Sequence, residues 1–292
     1  MTDARPSIGP GLDDLANIAV VGPRIFCIPA LRAPVQAVIT RGPSVWCHLG
    51  RWDLDRTAYE PGSWLRGTIY PQRCDLSPDG RWFAYFALKA SAEWVPGATY
   101  IAISRLPWLT ALLAWGTDGT WTRGVQFDED REVWEVSAPD VGDPAPVRER
   151  FGLRIPRMHA FAVERRRGWT ETPDTPPRDP RDVWDEWRRG RIAMQKPRPG
   201  SDGSIVLTVR GTYAAFRELH GVPGRGGLLY ELVEGDRRRA LDGVQWADWD
   251  ADGRLLSATV EGRLQILDEV LSVMWEEDLA GRAPEPVHPP PE

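Results

Sequence analysis

Three aspartates stand at alternate positions before a glycine, at Asp248, Asp250, Asp252 and Gly253. Carboxylates in this spacing can converge on a hard cation such as calcium. An EF-hand loop that began at Asp248 would need a bidentate glutamate at its twelfth position, where Thr259 stands instead. The alternative is a hairpin turn whose aspartate side chains bond to backbone amides. We favour the turn, and we predict no bound metal.

A zinc site is the other metal chemistry that the residue types allow, with Cys27, Cys47, His48 and Cys74 as ligands. No CxxC pair anchors such a site, so its assembly would depend entirely on the fold. Free cysteines in a β-core are commonly small buried hydrophobic residues. We therefore predict buried thiols and no cofactor.

Residues suited to catalysis are scarce. The sequence contains no nucleophile elbow, phosphate loop, dinucleotide fingerprint or HExxH motif. Histidine, the commonest general acid or base, occurs at only four positions: His48, His159, His220 and His288. This scarcity favours a non-enzymatic protein, although groups from distant segments could still meet in the fold.

Arg105 and Trp108 are the candidate ligand-binding residues, with Arg105 supplying the cation. Arg105 follows the predicted strand Tyr100–Ser104 and precedes Pro107, so we expect it at a strand end. A guanidinium there could hold a carboxylate or a phosphate through two parallel hydrogen bonds. The alternative is a solvated or structural arginine.

The segment 164–201 interrupts the strand pattern with prolines and charge, and we interpret it as a loop and short-helix insertion. Trp184, Trp187 and Arg188 could lie along one short helix within it, and they are the candidate partner-binding residues. Between residues 148 and 198, 14 basic residues outnumber eight acidic ones. Such a run could contact nucleic acid, but it is more often a solvated loop, and the net charge of −6 disfavours nucleic acid.

Repeated hairpins must position these residues. The segments 74–83 and 247–256 each place an Asp-Gly turn between two apolar stretches, 173 residues apart. Further turn glycines are found between and before them, and the full series is Gly42, Gly80, Gly119, Gly168, Gly203 and Gly253. Four steps across that distance give about 43 residues per unit, the length of a four-stranded propeller blade. The spacing predicts an all-β propeller of six blades, with five or seven as alternatives, and a β-sandwich as the competing fold.

Residues 1–282 are expected to form one propeller domain, and the proline-rich residues 283–292 a disordered tail. In the last unit we predict strands over 254–259, 263–268 and 273–276, against a competing helix over 268–279. The fifteen tryptophans are spread along the chain, which suits packing between stacked sheets.

The motif Asp75-Leu76-Ser77-Pro78-Asp79-Gly80-Arg81 resembles the turn of TolB-type and WD-repeat propellers, and residues 246–254 are similar. Residues 99–112 also resemble a group of uncharacterised bacterial proteins. The resemblance covers about residues 65–127 and 244–267 and implies a propeller without implying an activity. The chain departs from the regular WD pattern, which leaves the blade number open.

Three cysteines without a disulfide framework are typical of a reducing compartment, and no signal peptide or 18-residue apolar stretch is present. The sequence therefore predicts a cytoplasmic protein that does not enter a membrane. Its most favoured function is a non-enzymatic scaffold for a protein partner. The alternative is a funnel-site enzyme or a binder of a sugar or an anionic metabolite.

Overall fold

The computed structural model describes residues 22–42, 45–89, 97–117, 119–121, 124–127, 140–141, 153–154, 161–173, 191–212 and 228–285. They form β-sheets with one short helix, α1 (Ala162–Arg166), and two 3₁₀ turns, Pro71–Arg73 and Gly119–Trp121. Within these ranges, no helix is both long enough and apolar enough to cross a membrane.

The first two sheets are antiparallel meanders, apart from one short parallel pairing. The first contains β1 (Arg24–Pro29), β2 (Val35–Arg41), β3 (Trp46–Asp53) and β4 (Ala58–Arg66). The second contains β5 (Thr68–Ile69), β6 (Asp75–Leu76), β7 (Trp82–Leu88), β8 (Thr99–Arg105), β9 (Ala111–Gly116) and, parallel to β9, β11 (Asp140–Val141). Next to them, β10 (Gln126–Phe127) pairs with β12 (Leu153–Arg154).

Two further antiparallel meanders follow. One contains β13 (Thr170–Glu171), β14 (Arg191–Pro197), β15 (Ile205–Thr212), β16 (Leu228–Glu234) and β17 (Arg237–Ala240). The last contains β18 (Val244–Trp249), β19 (Leu255–Thr259), β20 (Arg263–Leu267) and β21 (Val273–Asp278). The three strands predicted for the last unit are confirmed, and the competing helix over 268–279 is wrong.

A sheet covered on both faces explains why β7 is apolar at every position. In β7, Phe83 and Tyr85 belong to the core shared with the first sheet, whereas Trp82, Ala84 and Phe86 belong to a core shared with Phe127. Successive side chains of a strand point to opposite faces, so one strand contributes to two cores. This is how the second sheet packs between the first sheet and Phe127 of β10.

The first and last sheets of the chain are also neighbours. Trp246 of β18 packs into the core of the first sheet, while Ala247 and Trp249 pack into the core of the β13–β17 sheet. Near the outer strands, Trp52 and Trp275 stack with ring centroids 5.5 Å apart. Consecutive meanders that pack face to face, with the last against the first, form a β-propeller, which confirms the predicted fold class.

The blade number stays a prediction. Over the described ranges, four sheets have four or more strands, and the β10–β12 pair has two. All six turn glycines have positive φ, as a turn that favours glycine requires. Gly80, Gly203 and Gly253 follow β6, β14 and β18, whereas Gly42 lies between the second and third strands of the first sheet. Equivalent glycines therefore do not mark every blade, which is why counting them cannot establish the blade number.

The insertion is narrower than the range 164–201 predicted from sequence. Helix α1 packs in the core, with Val163 and the preceding Phe161 at most 4% exposed, and β14 is an integral strand between β13 and β15. Every residue of β14 has a partner in β15, so β14 covers that edge of β15 along its whole length. The proline-rich middle of the segment lies outside the described residues.

Candidate functional site

A pocket of about 600 Å³ lies at one end of the sheets. Its walls come from the β1–β2 connection (30–34), the β3–β4 turn (54–55), the β14–β15 turn at Pro199 and the β18–β19 turn (250–252). The β6–β7 turn is at the same end, since Pro78 accepts a hydrogen bond from the Arg32 amide of the pocket wall. We call this cavity the hairpin pocket.

One wall of the hairpin pocket carries two cations, each held by an aspartate of the alternating motif. Lys196 donates from Nζ to Asp248 Oδ1 at 2.7 Å, and Arg254 donates from Nε to Asp250 Oδ2 at 2.6 Å. Between them, the Trp249 ring nitrogen donates to the Lys196 carbonyl at 3.2 Å. The Lys196 and Arg254 side chains remain 16% and 28% exposed, so a ligand can reach them.

These contacts separate the three aspartates that sequence spacing had grouped. Asp250 also accepts the Arg254 amide at 2.8 Å and Asp248 accepts the Trp249 amide, while the Asp252 side chain is 77% exposed. No cluster of three or more potential metal ligands occurs among the residues described. Asp248 and Asp250 thus each accept a local amide, as the turn interpretation expects.

The inner wall is held by a buried ion-pair cluster that joins α1 to three strands. Asp75 of β6 lies between Arg166 and Arg167, at 2.8 Å from Arg167 Nη2, and all three side chains are at most 6% exposed. Arg167 also donates to the carbonyls of Pro29 and Val163, and Asp75 accepts the Phe127 amide. Guanidinium groups that are bonded on several sides hold a fixed orientation. The cluster therefore ties α1 to β1, β6 and β10 beside the pocket.

Behind this cluster, Glu164 is buried and contacts an amide rather than a cation. Gln72 Nε2 donates to both Glu164 carboxylate oxygens at 3.1 and 2.9 Å, and Gln72 Oε1 accepts the Val163 amide. Burial raises the pKa of Glu164 to about 7, because the hydrogen bonds from Gln72 only partly offset the loss of water around the carboxylate. Glu164 thus titrates near neutral pH next to the Arg167 anchor.

The charged residues lining the hairpin pocket are mostly basic. The cations are Arg32, Arg166, Arg167, Lys196 and Arg254, and the anions are Asp55, Asp250 and Asp252. The remaining lining is largely apolar, and it includes Trp249 and several prolines. No histidine, cysteine, serine, threonine or tyrosine occurs in the lining that the described residues provide. Such a wall can hold an anionic group beside an apolar one.

Gln36 adds a neutral polar group to the lining. Its side chain is 1% exposed, and its Oε1 atom has no hydrogen-bond partner among the described residues. A buried acceptor without a partner is costly, so each such case calls for an explanation. Because Gln36 lines the pocket, a ligand bound there could donate a hydrogen bond to Oε1.

The predicted ligand residues lie outside this pocket. Arg105 is exposed at the end of β8, opposite Trp82, and Trp108 is half-buried in the following turn. Neither lines the hairpin pocket, although the β6–β7 turn places them at the same end of the propeller. Their ligand role stays a prediction. The partner residues Trp184, Trp187 and Arg188 lie outside the described residues.

The cysteines and His48 are core groups. Cys27, Cys47 and Cys74 are buried, and Cys74 Sγ donates to the Tyr70 carbonyl at 3.1 Å. Burial raises the pKa of all three thiols above its usual value, which disfavours the thiolate form that binds zinc. Burial likewise lowers the pKa of His48 to about 4.

Sequence reasoning missed Arg166, Arg167 and Lys196 as pocket residues, and it missed Asp75 as the carboxylate that holds the two arginines. Asp75 lay in the recognised turn motif, and the two arginines lay in a visible basic run. The contact joins residues 91 positions apart, and nothing in either segment indicates the other.

Comparisons with known proteins give structural similarity only. No protein-family model matches the chain, and no curated protein matches it. One similar solved structure is an uncharacterized protein from Listeria monocytogenes, with 10% identity, a TM-score of 0.26, and coverage of 88% of this chain and 55% of that one. The chain thus spans about half the length of that protein.

Two other solved structures are similar over more of their own length. The β-propeller domain of the Trilobed protease from Pyrococcus furiosus has 13% identity, a TM-score of 0.27, and coverage of 89% of this chain and 86% of that one. Dihydro-heme d1 dehydrogenase NirN, in complex with DHE, has 10% identity and a TM-score of 0.25, and the similarity covers 96% of this chain and 72% of that one. Similarities this low carry no functional inference, and the propeller assignment rests on the sheet order and packing of this chain.

Proposed function

We propose that this propeller is a non-enzymatic binding protein whose hairpin pocket holds an anionic small molecule. The observation that carries the proposal is the pair of half-buried cations on one wall, Lys196 and Arg254. Lys196 is held by Asp248, and Arg254 is held by Asp250 with Asp252 3.6 Å from its Nη2 atom. Both keep further N–H donors, since an ammonium has three and a guanidinium five. Donors that are fixed before binding cost less ordering when a ligand arrives.

The composition of the pocket supports binding rather than reaction. Asp250 and Asp252 lie beside Arg254, and Asp250 accepts two hydrogen bonds from it. A carboxylate used in this way positions a cation and is a poor general base. The apolar lining next to Trp249 suits an organic body attached to the anion.

The test is titration of the protein with citrate, inorganic phosphate and a panel of sugar phosphates, read by thermal shift and calorimetry. The Arg254→Gln variant should weaken the best anion by about tenfold, which is the loss of one charge-assisted hydrogen bond. Arg263→Gln is the matched control, because Arg263 is a surface arginine at the start of β20, away from the β18–β19 turn, and it pairs with Glu276 at 2.5 Å. Absence of saturable binding by any of these anions would refute the proposal.

The second candidate function is a scaffold for a protein partner, the function favoured from sequence. The observation in its favour is an exposed apolar group near the start of β21, where Val270, Val273 and Met274 are 70%, 51% and 61% exposed. Exposed apolar patches on monomers commonly mark binding surfaces. A partner recovered from the source cells should be lost with Met274→Asp and retained with Arg105→Ala.

Deletion of the whole segment 164–201 would be a poor test of the scaffold role, because it removes Arg166, Arg167 and β14 from the core. Deletion of residues 174–190 leaves these elements in place and still removes Trp184, Trp187 and Arg188. If these three residues bind the partner, the shorter deletion abolishes its recovery. A relationship to TolB-type or WD-repeat propellers belongs to the same proposal and rests on the Asp-Gly turn motifs.

A further inference from the structure

Two neighbouring sheets end in strands of opposite charge. Strand β17 ends its sheet and β21 ends the last sheet, and each pairs with one neighbouring strand among the described residues. In β17, Arg237, Arg238 and Arg239 are consecutive and exposed. In β21, Glu276 and Asp278 are exposed, and Glu277 between them is half-buried.

We propose that β17 of one molecule pairs with β21 of a second copy, which joins the sheets edge to edge. In the antiparallel register, Arg237 lies opposite Asp278, Arg238 opposite Glu277 and Arg239 opposite Glu276. Each cross-strand position then holds an opposite-charge pair, the arrangement that stabilises adjacent strands. Main-chain hydrogen bonds of the added strand supply affinity, and the charges set the register.

A second copy fits these edges better than a single charged partner does, because one chain carries both complementary halves. Contacts of β17 with β17, or of β21 with β21, place like charges opposite each other and are disfavoured. The contact is therefore head-to-tail, and such contacts produce rings or open chains rather than two-fold dimers. This inference is independent of the anion proposed for the hairpin pocket.

The side chains involved already have weak intramolecular partners. Glu276 pairs with Arg263 at 2.5 Å, Glu277 with Arg282 at 2.5 Å, and Arg238 lies 3.9 Å from Glu231. Ion pairs between partly exposed side chains contribute little to stability, so a second strand can replace them. Association driven by such charges weakens as salt screens them.

Sedimentation velocity at low and high ionic strength tests the inference. Wild type at about 100 μM should associate in low salt and become monomeric in about 0.5 M NaCl. Two charge-reversed variants should each be monomeric: Arg237→Glu with Arg239→Glu, which makes both edges acidic, and Glu276→Arg with Asp278→Arg, which makes both basic.

Mixing the two variants should restore association. The acidic β17 of the first variant can then pair with the basic β21 of the second, and the basic β17 of the second can pair with the acidic β21 of the first. Restoration also shows that both variants are folded. Arg56→Glu, a charge reversal in the exposed β3–β4 turn, is the control and should associate like wild type. A wild type that stays monomeric in low salt, variants that associate alone, or a mixture that stays monomeric would each overturn the inference.

Discussion

At the scale of single residues, Asp75 is the group on which the inner wall of the hairpin pocket depends. It is the acidic partner of both Arg166 and Arg167, and all three side chains are buried. Removing one partner of a buried ion pair leaves charge without compensation in a poorly hydrated place. The Asp75 contacts thus fix the positions of Arg166 and Arg167. Removing Asp75 lowers the stability of the fold by more than forming the ion pairs raises it.

Asp75→Asn should lower the free energy of unfolding by about 3–5 kcal/mol, because two buried guanidinium groups lose their carboxylate. Urea unfolding followed by circular dichroism measures the change. Asp252→Asn is the control, since its side chain is 77% exposed, and it should change stability by less than about 0.5 kcal/mol. Equal effects of the two variants would contradict the role given to Asp75.

Glu164 should make stability depend on pH near neutrality. Its pKa in the folded protein is about 7, above the ordinary value of 4.5, so the folded state binds more protons than the unfolded state between these values. The stability that Glu164 contributes is therefore complete below pH 4.5 and lost as the pH rises through about 7. Glu164→Gln should gain stability relative to wild type as the pH rises across this window, by about 3 kcal/mol in total.

The difference between variant and wild type is the quantity to measure, because His48 acts in the opposite direction. Its pKa is lowered from 6.5 to about 4, so its contribution is lost as the pH falls below 6.5. The two groups partly cancel in the wild-type profile. A difference between Glu164→Gln and wild type that stays constant with pH would show that Glu164 is ionised throughout.

At the scale of elements, the β18–β19 turn brings its glycine against the β14–β15 turn. A Cβ on Gly253 would lie 2.8 Å from the Pro199 carbonyl oxygen, and the residue has a φ of +77°. Gly203 shares the positive φ, at +87°, but a Cβ there meets nothing within 4 Å. Alanine substitutions at the two glycines therefore distinguish the cost of backbone strain, which both would have, from the cost of a steric clash between turns, which only Gly253 would have.

Gly203→Ala should cost about 1–2 kcal/mol through its left-handed backbone alone. Gly253→Ala should cost more, because the added methyl group also pushes the two turns of the pocket wall apart. Urea unfolding of both variants gives the comparison, and anion binding should weaken only in Gly253→Ala. Identical stabilities would mean that the turns do not need this close approach.

At the scale of the whole molecule, the junction between the first and last sheets closes the arrangement. Trp52 is fully buried there and stacks on Trp275, while Gln245 accepts the Ile25 amide and donates to the Pro23 carbonyl. Chain segments more than 200 positions apart are joined in this way. Substitutions at this junction should therefore lower the free energy of unfolding, as substitutions within a continuous core do.

Trp275→Ala should destabilise the protein by about 2–3 kcal/mol, because it leaves a space against the buried Trp52 ring. Val273→Ala, at a residue of the same strand that is 51% exposed, should change stability by less than about 0.5 kcal/mol. Chemical denaturation of both variants measures the difference. If Trp275→Ala were as neutral as its control, the first and last sheets would not be energetically coupled.

The sequence by itself determined the local pattern. Positive φ at Gly80, Gly203 and Gly253 and alternating faces in β7 follow from neighbouring residues, because turn geometry and strand pleat act over a few positions. The closing strands β19–β21 were predictable for the same reason.

Only the tertiary structure decided which distant residues meet. Asp75 finds Arg166 from 91 positions away, and Asp248 binds Lys196 from 52 positions away instead of joining Asp250 around a cation. Spacing along the chain does not contain these distances, since they depend on how whole sheets are placed against each other. The aspartate motif therefore indicated a turn correctly, while the pocket beside it became visible only once three sheets and α1 had been packed together.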